Sequence, residues 1–434
     1  MVNQVKSVLI IGGGIAGIQA ALDIAEAGYT AYIVEKEPST GGKMAMLDKT
    51  FPTNDCSICM EAPKMLDTVA NDNIHLLAYS EVKEVKGSVG NFKVKVAMKP
   101  RYVKDDCTAC ARCEEVCIVK SVNEFEQGLV QRRAIYMPFP YAVPRMFTLD
   151  MENCRKYGGG CRLCVIECRD VEGKNCIDFW QRPKTLDIDC GSIILATGFE
   201  VLNPSVIPEY RYGVYKNVIT ALQYERLLNT TGPTEGRLLR PSDGKEPQVV
   251  AFIQCVASRD LRGRQYCSKV CCTYATKQAV LTKEHIPNAE VYIFYIDRRA
   301  YGKGQWALWQ RAEEMGVRYI RSRPSKVSEM GDSDLKVRYE DIDTGEVKEV
   351  MVDILILSTG LAPPDGNEAL AKILGIALDK EGFFMEAEPL TRPFETDVEG
   401  IYICGFCREP SDITESVAQA SGAAAKAVMA INRH

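Results

Sequence analysis

The chain has 434 residues, 46% of them hydrophobic and 26% charged, with 53 Lys+Arg against 58 Asp+Glu for a net charge of −5. This balance suits a globular protein of two or three domains; it gives no polycation for nucleic acid, and no apolar run approaches the ~20 residues of a membrane-spanning helix. Eighteen cysteines beside only three histidines stand out. The chain opens "MVNQVKSVLIIGGG", on a strand rather than an export signal, and is expected in the cytoplasm, where clustered thiols serve metal or electron transfer more often than disulfides.

"SVLIIGGGIAGIQAALDIAEAGYTAYIVEKE" (7–37) reads as a strand, a glycine turn, a helix and a second strand ending in an acid. Gly12 allows the tight turn, Gly14 lets backbone approach a pyrophosphate, and Gly17 lets helix and strand pack closely. Glu35, 18 residues after Gly17 and followed by Lys36, is placed to accept hydrogen bonds from ribose hydroxyls. The competing reading is a glycine turn in an empty α/β unit. "STGGKM" (39–44), with Gly42 and Lys43, resembles the GG turn that FAD enzymes of the two-dinucleotide-binding type carry after their second strand.

"HLLAYSEVKEVKGSVGNFKVKVAM" (75–98) reads as two or three strands of a β-ribbon. Then the composition breaks. "DDCTACARCEEVC" sets Cys107, Cys110, Cys113 and Cys117 in C-x2-C-x2-C-x3-C, and "CRKYGGGCRLCVIEC" adds Cys154, Cys161, Cys164 and Cys168. Such a run wraps three thiolates around one iron–sulfur cubane and sends the fourth to a second. The crossover would put Cys107, Cys110, Cys113 and Cys168 on one [4Fe–4S] cluster and Cys154, Cys161, Cys164 and Cys117 on another. Structural zinc is the alternative, although zinc ribbons usually offer two separated CxxC pairs. No proline follows Cys117, and six residues separate Cys154 from Cys161, both departures from the common bacterial run.

"GSIILATGF" (191–199), with Thr197 and Gly198, resembles the strand and ATG turn that lead back to flavin in the two-dinucleotide superfamily. A second βαβ-like unit follows: "PQVVAFIQ", a helical "CSKVCCTYATKQAVLTKEHI", then "AEVYIFYIDRRA". Where a pyridine-nucleotide enzyme would carry GxGxxG, this chain has "CVASRDLRGRQYC" and no phosphate-cradling glycines. Cys255, Cys267, Cys271 and Cys272 converge there on the start of a helix, enough thiolates for a third cubane. Alternatively Cys271 and Cys272 simply pack in the helix. "VEGIYICGFC" (398–407), with Gly405, and "ESVAQASGAAAKAVMAI" resemble the closing strand and small-residue helix of the flavin fold; Phe406 stands where many relatives have an aspartate on the ribityl chain.

The fold class is α/β: a two-dinucleotide-binding-domain flavoprotein with thioredoxin-reductase-like Rossmann domains and an inserted two-cluster ferredoxin module. The boundaries read 1–100, 186–240 and 363–434 for the FAD-binding domain, 101–185 for the insertion and 241–362 for a second Rossmann-like domain.

"FPTNDCSICMEAPKM", the insertion, "YCSKVCCTYATKQA" and "PSDITESVAQASGAAAKA" together resemble the A subunit of heterodisulfide reductase, the FAD and iron–sulfur subunit of methanogens with homologues in sulfur-metabolising organisms. The resemblance covers essentially the whole chain and matches the short form, without the extra N-terminal domain and C-terminal ferredoxin of longer members. It implies a cluster on Cys255, Cys267, Cys271 and Cys272 close to the flavin, and it implies that Lys277 lies near flavin N5, favouring the anionic reduced form. The residues alone would make Lys277 a solvated helix lysine. In that family FAD is the proposed site of electron bifurcation.

Six cysteines remain. Cys176 and Cys190 read as ordinary buried or loop residues. Cys56-x2-Cys59 and Cys404-x2-Cys407 lie in loops expected near the cofactor, and some of these four could form a redox pair or a further metal site, or simply pack. The expected function is FAD- and [4Fe–4S]-dependent electron transfer within a hetero-oligomer of heterodisulfide-reductase-type subunits and a donor protein or ferredoxin, with room for a dimer of this polypeptide at its centre. The alternatives are an NAD(P)H-dependent disulfide reductase using Cys56 and Cys59, and a protein whose clusters are only structural.

Overall fold

The computed structural model describes residues 5–433. Strand β1 (Ser7–Ile11) is five consecutively buried residues, the pattern of a parallel strand covered on both faces. Helix α1 (Ile15–Glu26) follows the glycine turn and leads to β2 (Thr30–Glu35), parallel to β1. Helix α2 (Ser57–Ala70) precedes β3 (Ile74–Ala78), which lies parallel beside β2. The first strand of the expected ribbon therefore joins the main sheet, and the ribbon proper is β4 (Ser80–Ser88) with β5 (Asn91–Met98).

The stretch from 99 to 183 carries only short elements, among them strand pairs at Lys120–Val122 with Gln131–Arg133 and Ile135–Tyr136 with Thr148–Leu149. Its ends meet: β6 (Lys184–Cys190) runs antiparallel to β5 with Lys184 opposite Met98. The stretch leaves the ribbon and re-enters it at one point, as an insertion does. Its own core is small and sulfur-rich, built on Val103, Ile135, Phe147 and Phe179 with Cys113, Cys164 and Cys176. Strand β7 (Ser192–Leu195) then pairs parallel with β1.

The chain divides into two compact units, one of residues 1–45, 60–198 and 363–434, the other of 46–59 and 199–362. Residues 199–240, assigned from sequence to the FAD-binding domain, thus belong to the second unit, and so does 46–59. The reason is pairing. Strand β8 (Val218–Thr220) sits beside β12 (Ile354–Thr359), Val218 opposite Leu355, and Tyr224 packs edge-on against Phe252. A short apolar strand carries no mark of which sheet it will join. The second unit continues with α3 (Ala221–Leu228), β9 (Val249–Val256), α4 (Cys271–His285), β10 (Glu290–Tyr295), α5 (Lys303–Glu314) and β11 (Arg318–Arg321). Its parallel sheet runs β8-β12-β9-β10-β11.

Strand β13 (Ile401–Ile403) and helix α6 (Ile413–Arg433) close the first unit, whose sheet runs β13-β7-β1-β2-β3. Ala420, Ala423, Ala424 and Ala427 of α6 share a core cluster with Ala16, Ala20 and Ala21 of α1. Small residues on both helices let their backbones approach closely, and enlarging any of them would overpack the contact. Among the described residues, no helix is long and apolar enough to cross a membrane.

Candidate functional site

In the first unit the glycine turn has the shape its spacing requires. Gly12 has φ +112, and a Cβ there would stand 2.2 Å from the Ala196 carbonyl oxygen; one on Gly17 would stand 1.9 Å from the Gly12 carbonyl. Neither position accepts a side chain. Gly14, by contrast, faces open space and caps α1 without any side-chain acceptor, leaving the first helical N–H groups available to a phosphate. The Glu35 carboxylate is held by the N–H groups of Gly13 at 2.6 Å and Glu37 at 2.8 Å. Burial pushes its pKa up while these two donors pull it down; each oxygen keeps a lone pair for a ribose hydroxyl.

The other expected segments converge on this turn. The Gly41 N–H donates to the Gly13 carbonyl at 2.8 Å, and Gly42 lies against the Gly14 Cα. Thr197 follows Ala196 and donates to Asn367 Oδ1 at 2.8 Å, with Gly198 left-handed after it. Gly405, also left-handed, donates to Gln419 Oε1 at 2.9 Å and packs on Ala16. Lys36 is exposed and Lys43 half-buried. Phe406 is buried beside Phe383, an apolar replacement for the acid of many relatives. The donors, the open cradle and the acid fit a flavin dinucleotide, whose isoalloxazine would supply one- and two-electron chemistry.

The insertion gathers eight thiols. Cys113 is pushed up by burial and then by the thiols of Cys107, Cys164, Cys110 and Cys168; Cys164 is pushed up to about 12 by burial and then by Cys154, Cys117 and Cys161. Cys113 therefore has Cys107, Cys110 and Cys168 around it but also Cys164 of the other expected set, while Cys164 has Cys154, Cys117 and Cys161. Ala109 and Ala111 are left-handed, at roughly 1–2 kcal/mol apiece, and the Ala109 N–H donates to Cys107 Sγ at 3.4 Å. A backbone N–H aimed at sulfur in this way favours an anionic centre.

In the second unit Cys255, next to last in β9, has φ 59, and Ala257, Arg259 and Lys269 are left-handed too. The Lys269 N–H donates to Cys267 Sγ at 3.3 Å. Cys271 is raised by burial and then by Cys272, Cys255 and Cys267, so these four also stand together. Three charged groups that sequence reasoning missed surround them. Arg259 pairs with Asp297, which also pairs with Arg299; Arg259 hydrogen-bonds Cys255 and pulls its pKa down against burial. Nothing in the spacing marks Arg259, Asp297 or Arg299. Among the described residues no three His, Cys, Asp or Glu side chains close on a point as ligands of one metal ion; a cubane places its ligands on separate corners, further apart than one zinc ion would.

Lys277 is not solvated. It is 1% exposed, and its Nζ donates to Glu225 Oε1 at 2.5 Å and to the Lys49 carbonyl at 2.7 Å. A capping box at Thr220 and Gln223 starts α3 and turns Glu225 inward, where Gln278 donates to it at 2.6 Å and the Asp48 N–H at 3.0 Å. Asp48 is pushed up to about 6 by burial and then by Glu225, with Lys277 opposing. Glu225 had no signal in "ALQYERLL" beyond lying one turn inside the cap.

Cys56 and Cys59 are joined as a disulfide, while Cys404 and Cys407 are buried free thiols. Both of the latter donate to the Leu195 carbonyl, at 3.7 and 3.4 Å, an arrangement of packed thiols rather than a metal site. Cys176 and Cys190 are buried as well, each pushed up to about 12 chiefly by desolvation.

Comparison with known proteins agrees with this geometry. Residues 7–46 match the FAD binding domain family. A heterodisulfide reductase A-subunit-like protein of Archaeoglobus profundus is 43% identical, over 99% of this chain and 67% of its own length. The chain belongs to the heterodisulfide reductase A-subunit family. The A subunit of the H(2):CoB-CoM heterodisulfide,ferredoxin reductase of Methanothermobacter marburgensis is 47% identical over 97% of the chain. The iron-sulfur A subunit of the CoB–CoM heterodisulfide reductase of Methanocaldococcus jannaschii is 49% identical over 96%. The chain spans 63% of the length of each of these two relatives. Thioredoxin reductases of Lactococcus lactis (TM-score 0.55, 15% identity, 99% of this chain and 100% of that one) and T. acidophilum (TM-score 0.53, 17% identity, 99% and 98%) share the fold. The thioredoxin-reductase-like FAD Rossmann architecture expected for this heterodisulfide reductase family member is therefore present.

Proposed function

We propose that this chain is the FAD and iron–sulfur electron-transfer subunit of a heterodisulfide-reductase-type complex in the cytoplasm. It would carry two [4Fe–4S] clusters in a ferredoxin-like insertion and a third at Cys255, Cys267, Cys271 and Cys272. Electrons would enter from a ferredoxin-like donor or one partner protein, then leave through another. What supports the reading most is that Cys113, Cys164 and Cys271 each have three or more other cysteines close by, in a chain that also holds a dinucleotide cradle. Within that scheme the chain's residues position the groups: Glu35 and the open turn hold the dinucleotide, the Ala109 and Lys269 N–H groups point at Cys107 and Cys267 sulfur, and Cys113, Cys164, Cys255, Cys271 and Cys272 are the thiols shielded by burial. The tuning of flavin by Lys277 rests on the family resemblance.

The test is anaerobic preparation with iron quantitation and low-temperature paramagnetic resonance after reduction. About twelve irons per chain with signals from more than one cluster are expected; protein lacking iron and signals overturns the reading. A pyridine-nucleotide disulfide reductase is the runner-up, favoured only by the Cys56–Cys59 bond. In place of a glycine cradle its second turn folds back so tightly that a Cβ on Gly263 would stand 2.2 Å from the Ala257 carbonyl. Rapid bleaching of the flavin by NADPH alone would restore it.

A further inference from the structure

We propose that Cys56 and Cys59 are a redox-active pair that exchanges two electrons with an external dithiol or disulfide, a site separate from the twelve cluster cysteines. Two features mark the bond as reactive. It joins residues three apart, with Cα atoms 5.3 Å from one another, and so closes a loop too short to remove much entropy from the unfolded chain. As a staple it does little. Its two sulfurs are also unequal. Cys59 is exposed, whereas Cys56 is half-buried immediately before the first residue of α2, and its Sγ accepts the Cys59 N–H at 3.3 Å. A thiolate left on Cys56 would therefore be stabilised by a helix N-terminal donor, and a stabilised thiolate leaves faster.

That asymmetry sets the order of events. The thiolate of a dithiol attacks exposed Cys59 Sγ; the Cys56–Cys59 bond breaks, and its electron pair goes to Cys56 Sγ. The second thiol of the reductant attacks its own sulfur in the mixed disulfide, releasing Cys59 as thiolate. The dithiol becomes a disulfide, and its two protons end on Cys56 and Cys59. The reverse sequence reduces an external disulfide.

The surrounding chain keeps the opened pair ready to close. Residues 48–57 form a hairpin in which Lys49 bridges Cys56, Thr50 and Asp55 pair at 2.8 Å, and the Ser57 N–H reaches the Asp48 carbonyl at 3.1 Å. This hairpin is fastened from outside. Lys277 donates to the Lys49 carbonyl, Glu225 accepts the Asp48 N–H, and Arg226 and Asn229 donate to the Met46 and Leu47 carbonyls at 3.1 and 3.0 Å. With its base held by buried groups, the hairpin can lose the sulfur bond without separating the two thiols.

The whole protein, prepared anaerobically, is equilibrated with mixtures of oxidised and reduced dithiothreitol, quenched in acid and alkylated. Residues 50–64 leave trypsin as one peptide holding both cysteines and no other. A reversible two-electron transition of this peptide between the bonded and doubly alkylated forms is expected, together with unchanged iron per chain in Cys56→Ser. Thiols that alkylate at every ratio, or a bond that never opens, overturn the inference. So does a loss of iron in Cys56→Ser, which would make Cys56 a ligand. Should that variant fail to fold, the titration of the parent still decides. Protein devoid of iron that shows the transition would sink the cluster proposal and leave this one standing.

Discussion

Arg259 touches Cys255 and is itself gripped by Asp297, so its positive charge is fixed beside the third thiol group. A fixed cation next to a centre that gains an electron raises its potential. Replacing Arg259 with Gln keeps a donor but removes the charge; the midpoint of that cluster, followed by paramagnetic resonance in a redox titration, is expected to fall on the order of tens of millivolts. Arg259 is partly exposed, so solvent screening limits the shift. Glu61 presents the opposite situation. It is 0% exposed, and neither carboxyl oxygen has a hydrogen-bond partner among the described residues. Burial alone drives its pKa well above 4.5. The folded state therefore keeps a proton that the unfolded state loses above pH 4.5, and stability falls as pH climbs from there towards the folded pKa. Glu61→Gln should be more stable than the parent at pH 8, by about 1–3 kcal/mol, and the gap should close near pH 4. Urea midpoints at the two pH values measure it.

At the scale of elements, the turn between β1 and α1 is the least forgiving. A methyl on Gly17 would sit inside the Gly12 carbonyl, so the turn must open or α1 must shift away from β1. Gly17→Ala is expected to emerge without bound FAD, read from its visible absorbance, while the iron signals of the second unit persist. This turn was fully legible in the sequence, because each glycine answers a local steric demand that no other residue meets. The spacing of Cys107, Cys110 and Cys113 speaks for a similar reason: so short a run constrains a loop whatever surrounds it. Partners brought by distant chain were not. Glu225, Asp48 and Arg259 are ordinary surface residues by composition, and their burial or pairing arises only when α3, the 46–59 hairpin and the 255–270 loop meet α4 and β10. Lys277 reads as solvated on the same grounds, and only the resemblance pointed elsewhere. The sequence boundaries put residues 199–240 with the FAD-binding segments, whereas β8 pairs with β12, because a strand of three residues states no preference.

At the scale of the molecule, the insertion is the part with least to hold it. It has no long helix or strand, and half of its core positions are cysteines or flank them. Holding the proposed clusters, a small domain of this kind would draw folding energy from its metal. It is nonetheless tied to the flavin cradle within the same unit. Val143 accepts from the Thr40 N–H at 2.9 Å and donates to Ser39 Oγ at 2.9 Å, and Arg101 donates to the Pro38 carbonyl at 2.5 Å. Ser39 and Thr40 immediately precede the GG turn that lies against Gly14. Stripping iron should therefore do two things in sequence: melt residues 101–183, then release Ser39 and Thr40 from Val143 and Pro38 from Arg101. Hydrogen exchange on iron-depleted protein is expected to show lost protection in both stretches, with the amides of β1 and β7 still protected by their sheet. Protection that survives throughout 101–183 would mean that the apolar part of that core is sufficient without metal. Loss confined to 101–183 would mean that Ser39 and Thr40 stay ordered without their bonds to Val143.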